Sequence, residues 1–137
     1  MFNGRRQTWT ALNRSTEKAA GGLKALGVSK GNCVTILALN SERYVEAFFA
    51  IWRLTAAAVP LNTRWSEAEF VRDLDDCEPS ALIVDDAFAA MLPRLVEGRR
   101  LQVIHMGDGE TPAGAKSWLS LQEAEAVLMK EVAATPA

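Results

Sequence analysis

The segment from Cys33 to Asn62 constrains the fold most strongly, because it predicts a complete strand–helix–strand unit. The run 33–39 (CVTILAL) is almost continuously apolar, which is typical of a parallel strand covered on both faces. A helix is predicted over 42–55, with Ser41 as its N-cap, and 57–61 returns as a second strand. Both strands are too apolar to face water, so we expect both to be buried. We expect the crossover between these two strands to be right-handed.

The predicted helix 42–55 carries apolar side chains almost all round. Its large apolar residues are Val45, Phe48, Phe49, Ile51 and Trp52. A helix with no clean water-facing side is expected to be buried between the sheet and further protein. Pro60 cannot donate a ladder hydrogen bond, so it should end the second strand or occupy an unpaired position.

Capped amphipathic segments alternate with buried runs along the rest of the chain. Further helices are predicted near 10–26, 66–77 and 87–97, and further strands near 81–85 and 101–105. Weaker signals predict a short edge strand over 5–9, capping of the first helix by Thr10, a break at Pro93, a loop over 107–114 and a last helix over 119–129.

This alternation predicts the α/β class, with a mainly parallel sheet flanked by helices. Residues 1–132 are expected to form one subdomain, and the alanine-rich stretch 133–137 a linker or tail. Gly21 and Gly22 lie inside the first predicted helix at a cost of about 1 kcal/mol each, for which close approach to a neighbour is the expected compensation. Gly27 should stop that helix in the left-handed conformation.

Composition excludes several classes of protein. The chain has 137 residues, of which 49% are hydrophobic and 23% charged, so one globular domain with a true core is expected. The net charge of −2 gives no electrostatic footprint for nucleic acid. No apolar run approaches the ~20 residues that span a bilayer, and the start lacks a signal-peptide core, so we expect a soluble, cytoplasmic protein. Cys33 and Cys77 lack a metal or redox spacing, which favours reduced core thiols.

No motif predicts a catalytic centre or a metal site. The acidic residues near 73–78 suit a solvated helix end better than a cation site. Gly107-Asp108-Gly109 lacks the lysine and hydroxyl residue of a phosphate loop and is interpreted as a turn. His105, the only histidine, has no partner identifiable in the sequence and is expected at the edge of the core or on the surface.

Asp85 and Asp86 follow a parallel strand at its carboxyl end, where open α/β sheets bind ligands. A ligand site is therefore one interpretation of this pair. Asp86 also suits the N-cap of the following helix, so structure alone would explain it.

Several ordered segments together resemble the N-terminal part of the adenylate-forming enzymes, the AMP-binding superfamily that includes acyl-CoA synthetases, the adenylation domains of peptide synthetases, and luciferase. The segments are Thr8–Asn13, Ala25–Val34, Leu39–Ala50, Val59–Asn62 and Leu82–Asp85. Two positions depart from the family: Asn32 stands where aspartate is usual, and Thr55 where a glycine usually precedes the alanine. Both positions lie in turns or helix ends, so these departures bear on the local backbone geometry more than on the family resemblance.

The resemblance implies the N-terminal subdomain of the acyl-CoA synthetase-like fold, and a parent AMP-forming acid–CoA ligase that uses ATP, Mg²⁺ and CoA, with a place in fatty acid metabolism. The family's phosphate loop, nucleotide-binding aspartate and catalytic lysine lie downstream of this sequence. The resemblance thus implies that the fragment alone is inactive and holds no cofactor. The resemblance also implies a role for Arg64, because in some CoA ligases of this family an arginine at the matching position lies near the CoA phosphates. An ordinary surface arginine at a strand-to-helix turn is an equal alternative for Arg64.

The expected partners are the remainder of the parent enzyme and, through exposed apolar surface on helix 42–55, other copies of the chain. A freestanding flavodoxin-like or Rossmann-like module that binds a ligand or partner without catalysis is the competing class. The gapless α/β pattern permits this module, but the linked family segments disfavour it.

Overall fold

Five parallel strands form a single sheet in the order β2-β1-β3-β4-β5. The structure, a computed structural model, describes residues 9–39 and 41–122. The strands are β1 (Cys33–Leu37), β2 (Ala57–Pro60), β3 (Ala81–Val84), β4 (Gln102–His105) and β5 (Lys116–Ser117). The helices are α1 (Trp9–Ala25), α2 (Glu42–Arg53), α3 (Glu67–Cys77), α4 (Leu92–Val96), preceded by a 3₁₀ turn over Ala89–Met91, and α5 (Trp118–Gln122).

Successive residues of the central strands pack on opposite faces of this sheet. Ile36 and Ile83 belong to a core shared with α1, α2 and α5, whereas Leu37 and Val84 belong to a core shared with α3 and α4. Both faces of β1 and β3 are therefore covered, as their apolar sequences predict. The predicted α/β class with a parallel sheet is confirmed.

Helix ends follow the sequence signals closely. The Ser41 hydroxyl accepts the Tyr44 backbone N–H at 3.2 Å, and Ser66 and Glu69 form a reciprocal capping box. Gly27 has φ +100°, and the following Val28 is buried and donates its N–H to the Leu23 carbonyl.

The close approach predicted at Gly21-Gly22 is found at Gly22. A Cβ atom placed there would lie 2.8 Å from the Leu121 Cα, so the backbones of α1 and α5 could not approach this closely with a larger residue. A second tie involves Glu46, a buried residue of α2 whose carboxylate accepts hydrogen bonds from Trp118 Nε1 and Gln122 Nε2. Helix α5 is thus fixed to both α1 and α2.

Four predictions about elements require correction. Trp9 is the first residue of α1, so the strand predicted over 5–9 is wrong at that residue and Thr10 is not the cap; residues 5–8 lie outside the described part. Strand β5, within the stretch left between the predicted loop and last helix, was not predicted. The helix predicted over 87–97 is shorter than expected, and it is divided into two pieces, as the signal at Pro93 predicted: a 3₁₀ turn and the short α4, in whose first turn Pro93 lies. Residues 123–129 of the predicted last helix, and 133–137, lie outside the described part.

The burial expected around the strand–helix–strand unit is wrong at the second strand, whereas the helix leaves apolar surface exposed, as expected. Strand β2 is the edge of the sheet, and its residues are exposed or half-buried. Pro60 ends β2, as predicted. On α2, Trp52 is 56% and Phe49 36% exposed, so this helix keeps an uncovered aromatic face.

Thr55, one of the two positions that depart from the family pattern, has a strained backbone. Its φ is +59°, in the left-handed region that a β-branched residue rarely occupies. The residue lies in the tight turn between α2 and β2, where a glycine would adopt this conformation without steric cost. In the described part of the chain, no helix is long and apolar enough to cross a membrane.

Candidate functional site

A crevice of about 360 Å³ opens at the carboxyl edge of the sheet, beside the ends of β1, β3 and β4. It lies where the strand order reverses: from β1 the chain moves outward to β2 and then crosses back to β3. Open α/β sheets bind ligands at such a switch point. The described residues that line it are Leu39, Ser41, Glu42, Arg43, Asp85, Asp86, Ala87, Met106, Gly107 and Asp108.

Asp85 joins the ends of β1 and β3. Its Oδ2 accepts the Leu39 backbone N–H at 2.8 Å, and its Oδ1 accepts the Ala87 backbone N–H at 3.1 Å. The side chain therefore satisfies two backbone donors that would otherwise have no partner where the strands stop. This carboxylate shapes the floor of the crevice.

Asp86 joins β3 to the loop after β4. Its Oδ1 lies 2.7 Å from His105 Nε2, and its Oδ2 accepts the Gly109 backbone N–H at 3.0 Å. The Gly109 hydrogen bond, followed by the contact with His105, lowers the pKa of Asp86 against the opposing effect of desolvation. Because Asp86 is ionised and can only accept, His105 Nε2 carries the proton in this pair.

His105 itself is almost fully enclosed, with 1% of its surface exposed. Among the described residues its Nδ1 has no hydrogen-bond partner. His105 was expected at the edge of the core or on the surface, and the surface alternative is wrong because the side chain is buried. Asp86 is not the predicted helix cap, because its carboxylate is directed to His105 and Gly109. Sequence reasoning missed this pairing; the available signal was that both residues end adjacent parallel strands.

The glycines of the 107–109 loop are required by Asp86. A Cβ atom on Gly109 would lie 2.8 Å from Asp86 Oδ1, and one on Gly107 would overlap the same carboxylate. The loop is a turn without a phosphate-loop lysine, as predicted, but its glycines have a specific role. They allow the backbone to approach the carboxylate closely enough to donate to it.

Arg43 is the one basic residue among the described lining residues, and its guanidinium already has a hydrogen-bond partner and an ion-pair partner. Its Nη1 donates to the Met106 carbonyl at 2.8 Å and lies 2.9 Å from Asp108 Oδ1. The same lining includes the carboxylates of Glu42, Asp85, Asp86 and Asp108. The local charge is therefore negative, which disfavours a triphosphate or a free carboxylic acid here.

The other residues considered from the sequence lie elsewhere. Arg64 is exposed in the loop after β2, where its backbone N–H donates to Asn62 Oδ1 at 2.9 Å, and it does not line the crevice. Asp75 pairs with Arg99 at 2.6 Å, and Asp73 accepts from Cys77. No group of three or more potential metal ligands occurs in residues 9–39 and 41–122.

The chain belongs to the AMP-binding enzyme family, whose model matches residues 1–136. It is 37% identical over 91 residues to an indoleacetate–CoA ligase of Aromatoleum aromaticum, and this match covers 66% of the chain and 18% of that protein. A feruloyl-CoA synthase of an Amycolatopsis species is 35% identical over 109 residues, covering 77% of the chain and 22% of that enzyme. The chain thus spans about a fifth of these relatives.

The fold agrees with this assignment. The crystal structure of the anthranilate CoA ligase AuaEII in complex with anthranoyl-AMP superposes with a TM-score of 0.79 at 31% sequence identity. That match covers 90% of this chain and 24% of the ligase. The predicted resemblance to the N-terminal region of acyl-CoA ligases is confirmed.

Proposed function

We propose that this chain is the N-terminal piece of an AMP-forming acid–CoA ligase. The parent enzyme would activate a carboxylic acid with ATP and Mg²⁺ as an acyl-adenylate and transfer the acyl group to CoA. The observation that carries the proposal is the family match over residues 1–136 together with the small share of each relative that the chain spans. Fatty acid metabolism in the cytoplasm and a single subdomain over 1–132 belong to the same proposal.

The piece alone is proposed to be inactive. The charged groups of the carboxyl-edge crevice already bond to backbone or to one another, and the crevice is negatively charged. Among its described lining residues the one cation, Arg43, already has partners, so the crevice is poorly suited to hold a triphosphate or to stabilise developing negative charge. Translating the genomic reading frame past codon 137 is the simplest test of the parent. A Ser/Thr/Gly-rich loop ending in Lys-Gly would support the ligase, and an immediate stop codon would count against it.

A freestanding flavodoxin-like module remains the second candidate because of one observation. The strand order β2-β1-β3-β4-β5 is that of flavodoxin-like folds, whose ligands bind at the same switch point. The family match and the negative charge of the crevice weigh against this module as a binder of anionic cofactors. Titration with flavin mononucleotide would separate the candidates, since a ligase fragment should show no saturable binding.

Arg64 is proposed to approach the CoA phosphates in the parent enzyme. Its exposure in the loop after β2 supports this role, because its guanidinium is accessible at the carboxyl edge of the sheet. In the full-length ligase, Arg64→Ala should raise the KM for CoA while leaving the KM for ATP unchanged. An unchanged KM for CoA would leave Arg64 as an ordinary surface arginine.

Self-association through the aromatic face of α2 is the proposed behaviour of the isolated chain. Trp52 and Phe49 are exposed beside a groove between α1 and α2 that Leu12 also lines. In the parent, other segments of the ligase would cover this face. Burial of several hundred Å² of such surface at about 25 cal/mol per Å² would be worth on the order of 10 kcal/mol before the costs of association. Light scattering at micromolar concentration should detect a dimer or higher oligomer.

A further inference from the structure

Cys33 and Cys77 are distant in sequence but neighbours in the fold. Cys33 is the first residue of β1, and Cys77 is the last residue of α3. The Cys33 carbonyl accepts the Ser80 backbone N–H at 2.9 Å and the Ser80 hydroxyl at 3.3 Å. The short segment that follows Cys77 is thereby held against the Cys33 peptide, which places the two cysteines at the same edge of the sheet.

Neither thiol belongs to the apolar cores of the fold. Both residues are half-buried and unoxidised, so the expectation that they are core thiols is wrong, although they are free as expected. The Cys77 Sγ donates to Asp73 Oδ2 at 3.6 Å, a weak hydrogen bond that oxidation of the thiol would remove. Partial exposure leaves the pair open to a small oxidant.

We propose that Cys33 and Cys77 are a redox modification site that forms a reversible intramolecular disulfide with a peroxide-class oxidant. One thiolate attacks a peroxide oxygen, breaks the O–O bond and becomes a sulfenic acid, and the expelled hydroxide takes a proton to leave as water. The second thiolate attacks the sulfenic sulfur, forms the S–S bond and expels a second hydroxide, which leaves as water. The two thiols lose two electrons and two hydrogens, and one peroxide gives two waters.

The Cys33–Cys77 disulfide would cross-link two elements at the amino edge of the sheet. It would link α3 to β1 and close the chain between residues 33 and 77, which contains α2 and β2. Closing so long a loop restricts the unfolded chain and should raise the thermal midpoint on the order of 10 °C. This site is independent of the proposed ligase activity, because it uses none of the residues at the carboxyl edge.

The environment of Cys77 predicts a slow reaction. Burial raises the pKa of Cys77 to about 12, with further increases from the neighbouring Cys33 and Asp73. Thiolate is therefore scarce at neutral pH, and thiolate is the nucleophile. Asp73→Asn removes one negative charge from this neighbourhood and should speed disulfide formation roughly twofold or more.

The test treats the reduced chain with hydrogen peroxide and maps the products by mass spectrometry after non-reducing proteolysis. We expect a Cys33–Cys77 linked peptide that forms at a rate independent of protein concentration, raises the thermal midpoint and disappears with dithiothreitol. Cys33→Ser and Cys77→Ser are the matched controls, and neither should form the linked peptide or gain stability.

Any of three outcomes would contradict the proposed disulfide. Both thiols could remain titratable after treatment with peroxide, or they could be oxidised to sulfinic acid without a cross-link. Disulfides could also form only between chains, at a rate that rises with protein concentration. Pyrophosphate assays of the parent ligase would be unaffected by any of these results, so the two proposals fail separately.

Discussion

The carboxyl-edge crevice and the aromatic face of α2 differ in how their exposed groups are satisfied. In the crevice, Asp85, Asp86 and Arg43 bond to backbone groups or to other side chains within hydrogen-bonding distance. On α2, the rings of Trp52 and Phe49 contact each other edge to face, with 5.7 Å between their centroids, but both remain open to solvent. The charged side chains Asp85, Asp86 and Arg43 thus have partners among the described residues, whereas the apolar face is left open to solvent.

This difference indicates which region would gain free energy from contact with a further surface. Hydrogen-bonded carboxylates at strand ends stabilise the fold that contains them, and they need no further ligand. An exposed aromatic pair contributes little to its own chain and gains free energy only when another surface covers it.

Gly107→Ala should have the largest effect, because it forces the Asp86 carboxylate away from its partners. A Cβ at residue 107 would overlap that carboxylate, which must then give up His105 or Gly109. We expect a loss of about 1–3 kcal/mol in the free energy of unfolding, measured by urea denaturation, mainly because the buried His105 would be left without its partner. In the Asp86→Ala background the same substitution should cost much less; an equal cost in both backgrounds would show that Asp86 is not the obstacle.

Trp52→Glu should act on association and leave folding almost unchanged. The side chain is 56% exposed, so the free energy of unfolding should change by only about 0.5 kcal/mol. A charge on the aromatic face should weaken self-association about tenfold or more, as measured by sedimentation. Leu119→Glu, at a similarly exposed leucine on α5, is the control and should keep the wild-type association constant.

The Asp86 cluster should contribute a pH-dependent component of stability. Because folding lowers the pKa of Asp86, its contribution is present above the unfolded-state value of about 3.9 and is lost as the pH falls through the lower, folded value. Asp86→Asn should remove this component, so the difference in stability between wild type and variant should shrink below about pH 4. A constant difference from pH 7 to pH 3 would contradict the assignment of the charge to Asp86.

Thr55→Gly should give the smallest effect, and a stabilising one. The left-handed backbone costs a non-glycine residue about 1–2 kcal/mol, part of which is offset by the greater freedom of glycine in the unfolded chain. We expect a gain of about 0.5–1 kcal/mol in thermal or urea unfolding. Thr55→Ala serves as the control, because alanine keeps most of the strain; an equal gain from both would show that the backbone is not the cause.

The fold could be predicted from the sequence where one local signal decided the structure. Apolar runs gave β1 and β3, and Ser41 and Ser66 marked the first turns of α2 and α3. Strand β5 has two residues and no apolar pattern, so only its pairing with β4 defines it. Exposed apolar surface was expected on helix 42–55, but which of its side chains stay open to solvent depends on how α1 packs against α2, and no local pattern contains that information.

The location of the candidate site could be predicted from the sequence, but the pairing of its side chains could not. The position of Asp85 and Asp86 at a strand end was visible in the sequence, and it correctly indicated the edge of the sheet at which the crevice lies. Pairing of Asp86 with His105 depends on the order and register of the strands, which place β3 beside β4 with Val84 opposite His105. No local pattern contains that information.

The central proposal, that the chain is an inactive piece of an adenylate-forming ligase, is tested most directly by pyrophosphate release. Purified chain should be assayed with ATP, Mg²⁺ and a panel of aromatic and fatty acids, beside the full-length ligase translated from the same gene. We expect release above background only from the full-length enzyme. Acid-dependent release that copurifies with the chain alone would contradict the account, as would a full-length protein that releases none with any acid.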